Sequence, residues 1–189
     1  GENGSSFTGV IGTSAQENQF KFLSGSIQNF SSESTQQINN GVDQPTINGS
    51  GSEWALFSYF ARAQYDYRNK YYLTATVRRD GSSRFGEGNK FGTFPSASAA
   101  WRISEEEFLR GSETFNDLKL RLGYGITGNQ EIGNYAFASS YNTNLYNFNG
   151  NLVTAAVPTT LPNRNVQWES QVQYNIGLDA TLFDHKVDL

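Results

Sequence analysis

The chain has 189 residues, a net charge of −4, no cysteine and a single histidine, His185. These counts exclude disulfides, thiolate metal sites and any histidine-paired triad or metal centre, so no cofactor or metal is expected, and the lack of a basic cluster argues against a nucleic-acid surface. No apolar run approaches the roughly 18 residues of a membrane helix, but a membrane barrel stays open because half of each barrel strand is polar.

In chain order, 7–22 is extended, with Val10, Phe20 and Phe22 on one face, and reads as a strand. Residues 23–53 are rich in Ser, Asn, Gln and Gly and read as a long polar loop. Three Asn-x-Ser sequons, at Asn3, Asn29 and Asn48, are read as chance in such segments. From Trp54 the pattern sharpens. Ala55, Phe57, Tyr59, Ala61, Ala63, Tyr65 and Tyr67 alternate with Leu56, Ser58, Phe60, Arg62, Gln64 and Asp66. After residues 68–70, Tyr71, Leu73, Ala75 and Val77 alternate with Tyr72, Thr74, Thr76, Arg78 and Asp80. Such period-two runs around a short break predict a hairpin with one apolar and one polar face. Residues 81–93 form a glycine-rich turn, and 95–103 repeat the alternation through Ala97, Ala99 and Trp101.

Ser104 and Glu107 form a capping box, with Ile103 and Phe108 placed as its staple and Gly111 as the C-cap, so one short helix is expected. The glutamates at 105–107 are assigned to the helix N-terminus rather than to metal or catalysis. Residues 118–127 form the next strand, followed by an Asn/Gly/Tyr-rich connection at 128–165 with a hairpin expected near 135–146. Residues 166–183 are the longest strand, with Val166, Trp168, Val172, Tyr174, Ile176 and Leu178 on its apolar side, before a turn at 184–186.

A soluble sandwich would show the same alternation. Two features favour a barrel: strands of bilayer-spanning length, and connections that place 23–53, 81–93 and 128–165 at one end and 68–70, 104–117 and 184–186 at the other. Tyr65, Tyr67 and Tyr71 fall where an interface girdle belongs. The fold expected is all-β: an antiparallel up-and-down transmembrane barrel segment of six or seven strands. The chain starts at Gly1 without a signal peptide and ends as another strand opens, so it reads as a piece of something longer.

Arg62, Asp66, Arg78, Asp80, Arg102, Lys119, Arg121, Glu169 and Asp179 fall on the polar side, as a lumen network that balances charge or meets a solute. Trp54, Tyr141, Tyr146, Phe148 and Trp168 lie in or beside the long loops, where aromatic faces suit sugar rings and peptide side chains as well as plain packing. Arg79, on the apolar side at the outer end of its strand, is placed to reach lipopolysaccharide phosphate. Asp80 and Arg84 are expected to pair across a turn. Gly123, Gly125 and Gly128 match G-x-G-x-x-G, but no helix start follows, so they read as strand glycines that leave room in a crowded lumen. No catalytic set is present, and the chain is read as no enzyme.

Three stretches carry a resemblance: YYLTATVRRDGSSRF at 71–85, FPSASAAWRIS at 94–104 and LKLRLGYGITGNQ at 118–130. In this order they resemble the SusC/RagA family of TonB-linked outer-membrane transporters of the Bacteroidetes, strongly over 54–135 and loosely elsewhere. The resemblance implies a 22-stranded barrel with an N-terminal plug, capped by a SusD-like surface lipoprotein, in contact with outer-membrane lipid and importing oligosaccharides or peptides. Residues 1–189 would be part of that single barrel domain. The plug, and the TonB box through which TonB couples, would lie in the missing N-terminal region, and the polar-side arginines would meet that plug. A passive porin or structural outer-membrane protein is one alternative, and a soluble β-rich glycan-binding module another.

Overall fold

A computed structural model describes residues 4–34, 36–112, 114–183 and 187–188. The Asn3 sequon, His185 and the expected 184–186 turn lie outside the described residues. Nine strands are present among the described residues: β1 (Ser5–Ser26), β2 (Thr46–Tyr67), β3 (Tyr71–Ser82), β4 (Phe91–Arg102), β5 (Phe115–Asn129), β6 (Ser140–Phe148), β7 (Asn151–Thr160), β8 (Glu169–Leu182) and β9 (Val187–Asp188). Seven form one antiparallel sheet in the order β1-β2-β3-β4-β5-β8-β9, while β6 and β7 form a separate two-stranded ribbon. This is an up-and-down meander with one excursion.

Local chemistry sets the turns. Arg68 and Asn69 both take left-handed φ, 53° and 54°, between β2 and β3. Asn149 and Gly150 do so between β6 and β7, at 52° and 80°. Two successive left-handed residues match the twist of the strands they join.

The register puts the alternating faces where expected. Phe7, Tyr65, Leu73, Ala99, Leu122 and Ile176 form one transverse row on the apolar side. No second layer covers them: Phe57 is 39% exposed, Leu73 51% and Ile176 79%. A compact domain of 21.0 kDa would expose about 9,000 Å², whereas this chain exposes 14228 Å². A sandwich core is therefore absent among the described residues, and the sheet is an open, curved wall with an uncovered apolar side.

Several expectations need correction. The 23–53 stretch is not all loop, because the β1–β2 ladder runs unbroken to Ser26↔Thr46 and leaves only 27–45 as connection. Where both faces of a strand meet water, backbone pairing continues while the alternation that signals it fades. Val10, Phe20 and Phe22 do share a face, but it is the polar one, since Val10 pairs with Arg62; the apolar side of β1 carries Phe7 and Ile11.

The capped helix is a 3-10 turn at Ile103–Glu105. The Ser104 hydroxyl donates to Asp117 Oδ1 at 2.9 Å instead of capping, and Phe108 is exposed, so no staple forms. Gly111 does turn the chain, at φ 89°. The strand expected to be the longest starts at Glu169 and has 14 residues against 22 in each of β1 and β2, and Trp168 turns away from the apolar side to pack against Phe85 and Phe94. The hairpin expected near 135–146 lies at Ser140–Thr160 instead, centred on Asn149-Gly150.

Candidate functional site

The polar side of the sheet carries all nine residues expected in the lumen, but they form separate pairs rather than one network. On β3, Arg78 Nε donates to both Asp80 oxygens at 2.7 and 2.9 Å, and Nη2 donates to Ser58 Oγ at 2.8 Å. Nearer the short-turn end, Arg102 Nε donates to Asp117 Oδ1 at 2.8 Å. Arg121 Nη2 bonds Asp179 Oδ1 at 2.6 Å and lies over Gly177, where a Cβ would stand 3.3 Å from it. Lys119 Nζ sits 5.2 Å from the centre of the Tyr72 ring. Glu169 accepts from Asn129 Nδ2 at 3.0 Å.

Asp66 belongs to the turn: its Oδ1 accepts from the Asn69 amide at 3.1 Å. Arg62 is exposed on β2 and enters none of these pairs. The expected Asp80–Arg84 pair does not form, because Asp80 is held by Arg78 on its own strand. Between the pairs the wall has a groove floored by Ser96, Ser98, Gly123 and Gly125 and flanked by Arg78 and Gln173. Small side chains there leave room on the polar side, and the strand continues through the glycines without a helix.

The outer end, where the long connections gather, holds a feature the sequence reading did not assemble. Phe85 is fully buried, and Phe94 is the other buried apolar residue among those described. Both lie on the polar side, since Phe94 pairs with Arg78, and the Trp168 ring packs 5.1 Å from Phe85 and 5.2 Å from Phe94. Gly128 exists for this cluster: a Cβ there would stand 2.0 Å from Phe94 Cζ. Arg84 stacks over Trp54 at 4.9 Å. Thus Trp54 and Trp168 pack the base of the loops. Tyr141, Tyr146 and Phe148 stand exposed on the ribbon, Tyr141 on one face and the other two on the opposite face. The five aromatics form no single site. The DGSSRFG run at 80–86, with its buried phenylalanine, was the signal for this cluster.

The inner end carries a different arrangement. Tyr67, Tyr71 and Trp101 stack in series, each neighbouring pair 6.4 Å between ring centres. Glu106, in the turn below, accepts from Tyr71 Oη at 2.6 Å, Lys70 Nζ at 3.0 Å and Trp101 Nε1 at 3.1 Å. These donors, the Tyr71 hydroxyl foremost, lower the Glu106 carboxyl to about 2. Amphipathic rings with their polar tips tied to a charged turn are what a membrane–water interface selects.

The match to the family model described as "TonB dependent receptor-like, beta-barrel" covers residues 2–189. TonB-dependent receptor SusC of Bacteroides thetaiotaomicron is 44% identical over 137 residues, which is 70% of this chain and 14% of the relative. TonB-dependent receptor P39 of Formosa agariphila is 38% identical over 185 residues, 96% of this chain and 17% of the relative. A solved structure of the RagAB peptide importer in its closed-closed state superposes with a TM-score of 0.88 at 29% identity, over 97% of this chain and 20% of that one. The chain thus spans a fifth or less of the length of these relatives. With its uncovered apolar side, its charge-paired polar side and its ring of interfacial aromatics, it is a stretch of outer-membrane wall, and it belongs to the TonB-dependent receptor-like β-barrel family, among relatives of the SusC and RagA kind.

Proposed function

We propose that this chain is part of the single barrel domain of a TonB-dependent importer that takes oligosaccharides or peptides across the outer membrane. The observation that carries the reading is the division of the sheet between two solvents. One side presents Phe57, Tyr59, Leu73, Val77 and Ile176 uncovered, and the other presents paired charges and a small-residue groove. Hydrocarbon suits the first side and a water-filled passage the second. A plug and a TonB box are assigned to the intact protein outside these residues, and a SusD-like surface lipoprotein is its partner at the long-loop end. No step of bond chemistry is required, and the protein is no enzyme.

Arg62 is the residue of this wall best placed to meet the plug, because the other inward cations are engaged: Arg78, Arg102 and Arg121 with carboxylates and Lys119 with a ring. In the intact protein, Arg62→Glu lowers uptake without loss of folded barrel; unchanged transport in that variant removes Arg62 from the assignment. The larger reading is tested by deleting the TonB box of the intact protein and measuring uptake. Import that stops supports energised transport, and import that continues by diffusion selects the passive porin instead.

A further inference from the structure

The 83–90 loop reaches over the polar side and holds both feet of the 130–168 connection. At the first foot, Arg84 Nη1 donates to the Gln130 carbonyl at 3.1 Å. The Phe137 side chain lies against Gly86, where a Cβ would stand 3.3 Å from Phe137 Cβ. At the second foot, Asn89 Nδ2 donates to the Arg164 carbonyl at 3.1 Å and Trp168 Nε1 donates to the Lys90 carbonyl at 3.0 Å, with Phe85 beneath the indole. Between the feet, β6 and β7 pair only with each other. One short loop therefore sets where the whole arm stands.

The two feet are not held alike. The second rests on rings, and burial of Phe85 and Phe94 against Trp168 favours the closed arrangement. The first is encumbered: Arg84 Nε, Gln130 Oε1 and Asn134 Oδ1 are buried without a hydrogen-bond partner among the described residues. Each of those three groups regains its bonds when the first foot lifts into solvent, and this opposes the closing pull of the Arg84–Gln130 bond and of the Arg84 pair with the exposed Glu131 at 4.0 Å. An arm with one ring-locked foot and one strained by unpaired polar groups has a built-in direction of release.

We propose that the 83–90 loop is a clasp and the 130–168 arm a gate over the mouth of the lumen, opening at the 130–137 foot and pivoting on Trp168. The proposal rests on the reading of the polar side as a passage. The 3.3 Å separation at Gly86 and Phe137 is close to the Cβ spacing a disulfide spans, and the chain has no cysteine to compete.

The test uses the intact transporter in outer membranes. Gly86→Cys combined with Phe137→Cys, once oxidised, is expected to cut uptake by at least about tenfold and to recover on reduction, because a gate tied shut cannot open locally. Full uptake with the bridge formed overturns the gate. Hydrogen exchange on the unaltered protein is the second measurement and needs no variant to fold. Amides of 131–138 are expected to exchange at least about tenfold faster than those of 165–168, and equal or reversed rates overturn the assigned direction. If the unaltered protein imports nothing, the transport reading fails, and the exchange rates still judge the clasp.

Discussion

The outer and inner ends of this wall solve the same problem, the finishing of a sheet that leaves a membrane, by opposite means. The outer end packs: Phe85, Phe94 and Trp168 make a small dry core on the polar side, with Gly128 left bare to admit the Phe94 ring. The inner end ties: Tyr71, Lys70 and Trp101 converge on one carboxylate, Glu106, at the surface. Stability at the outer end rests on shape and burial, whereas the inner end rests on charge-assisted hydrogen bonds that water can replace. Substitutions are therefore most severe at the outer end, and solvent type alone does not dictate how a barrel wall is finished.

The largest expected effect is Phe85→Ala, which empties a fully buried position and is expected to destabilise the outer end by about 3–5 kcal/mol. Lowered protection of 83–90 and 130–168 in hydrogen exchange, with the inner end unchanged, checks it; an effect spread evenly over the sheet breaks the comparison. Next is Gly128→Ala, whose methyl meets Phe94 Cζ at 2.0 Å and is expected to cost about 1–3 kcal/mol by overpacking. Thermal unfolding of the variant beside a Gly133→Ala control, where an added methyl meets nothing within 4 Å, shows whether the clash, rather than lost glycine, is responsible.

Glu106→Gln is smaller, and its pH dependence sharpens the contrast. The folded carboxyl lies at about 2 against an ordinary 4.5, so its contribution is complete above 4.5 and is lost as pH falls towards 2. Acid unfolding in that window is expected to be shallower in the Gln variant, while the outer end responds to neither change. The smallest effect is Arg79→Ala. Arg79 lies 5.2 Å from the Phe91 ring on the lipid side, and the variant is expected to keep its fold and carry less lipopolysaccharide through purification. Equal lipopolysaccharide in both proteins removes the contact.

Much of this was legible in the residues. Alternation from Ala55 to Val77 gave register and faces because those strands separate two unlike solvents, and the run 94–104 repeated the message. The reading failed where that separation stops. The β1–β2 ladder beyond Leu23 has water on both sides and so carries no period. Trp168, Phe85 and Phe94 are apolar residues on the polar side, which a binary pattern cannot assign. Ser104 obeys a local capping rule that longer contacts, to Asp117 and through Glu106 to Tyr71, override. The ribbon had a readable sign in Asn149-Gly150, a dipeptide suited to two left-handed residues, but the expected hairpin was set too early in the chain.

The arm also has a chemical silence with a practical result. Between Arg121 and Arg164 there is neither lysine nor arginine, and between Glu131 and Arg164 there is no charged residue at all. Trypsin applied to whole cells therefore has no cleavage site in the ribbon, however fully it projects, and amine-directed labels pass it by. Surface-shaving experiments would record as hidden a ribbon whose rings stand exposed; a protease that cuts beside tyrosine or leucine would find it.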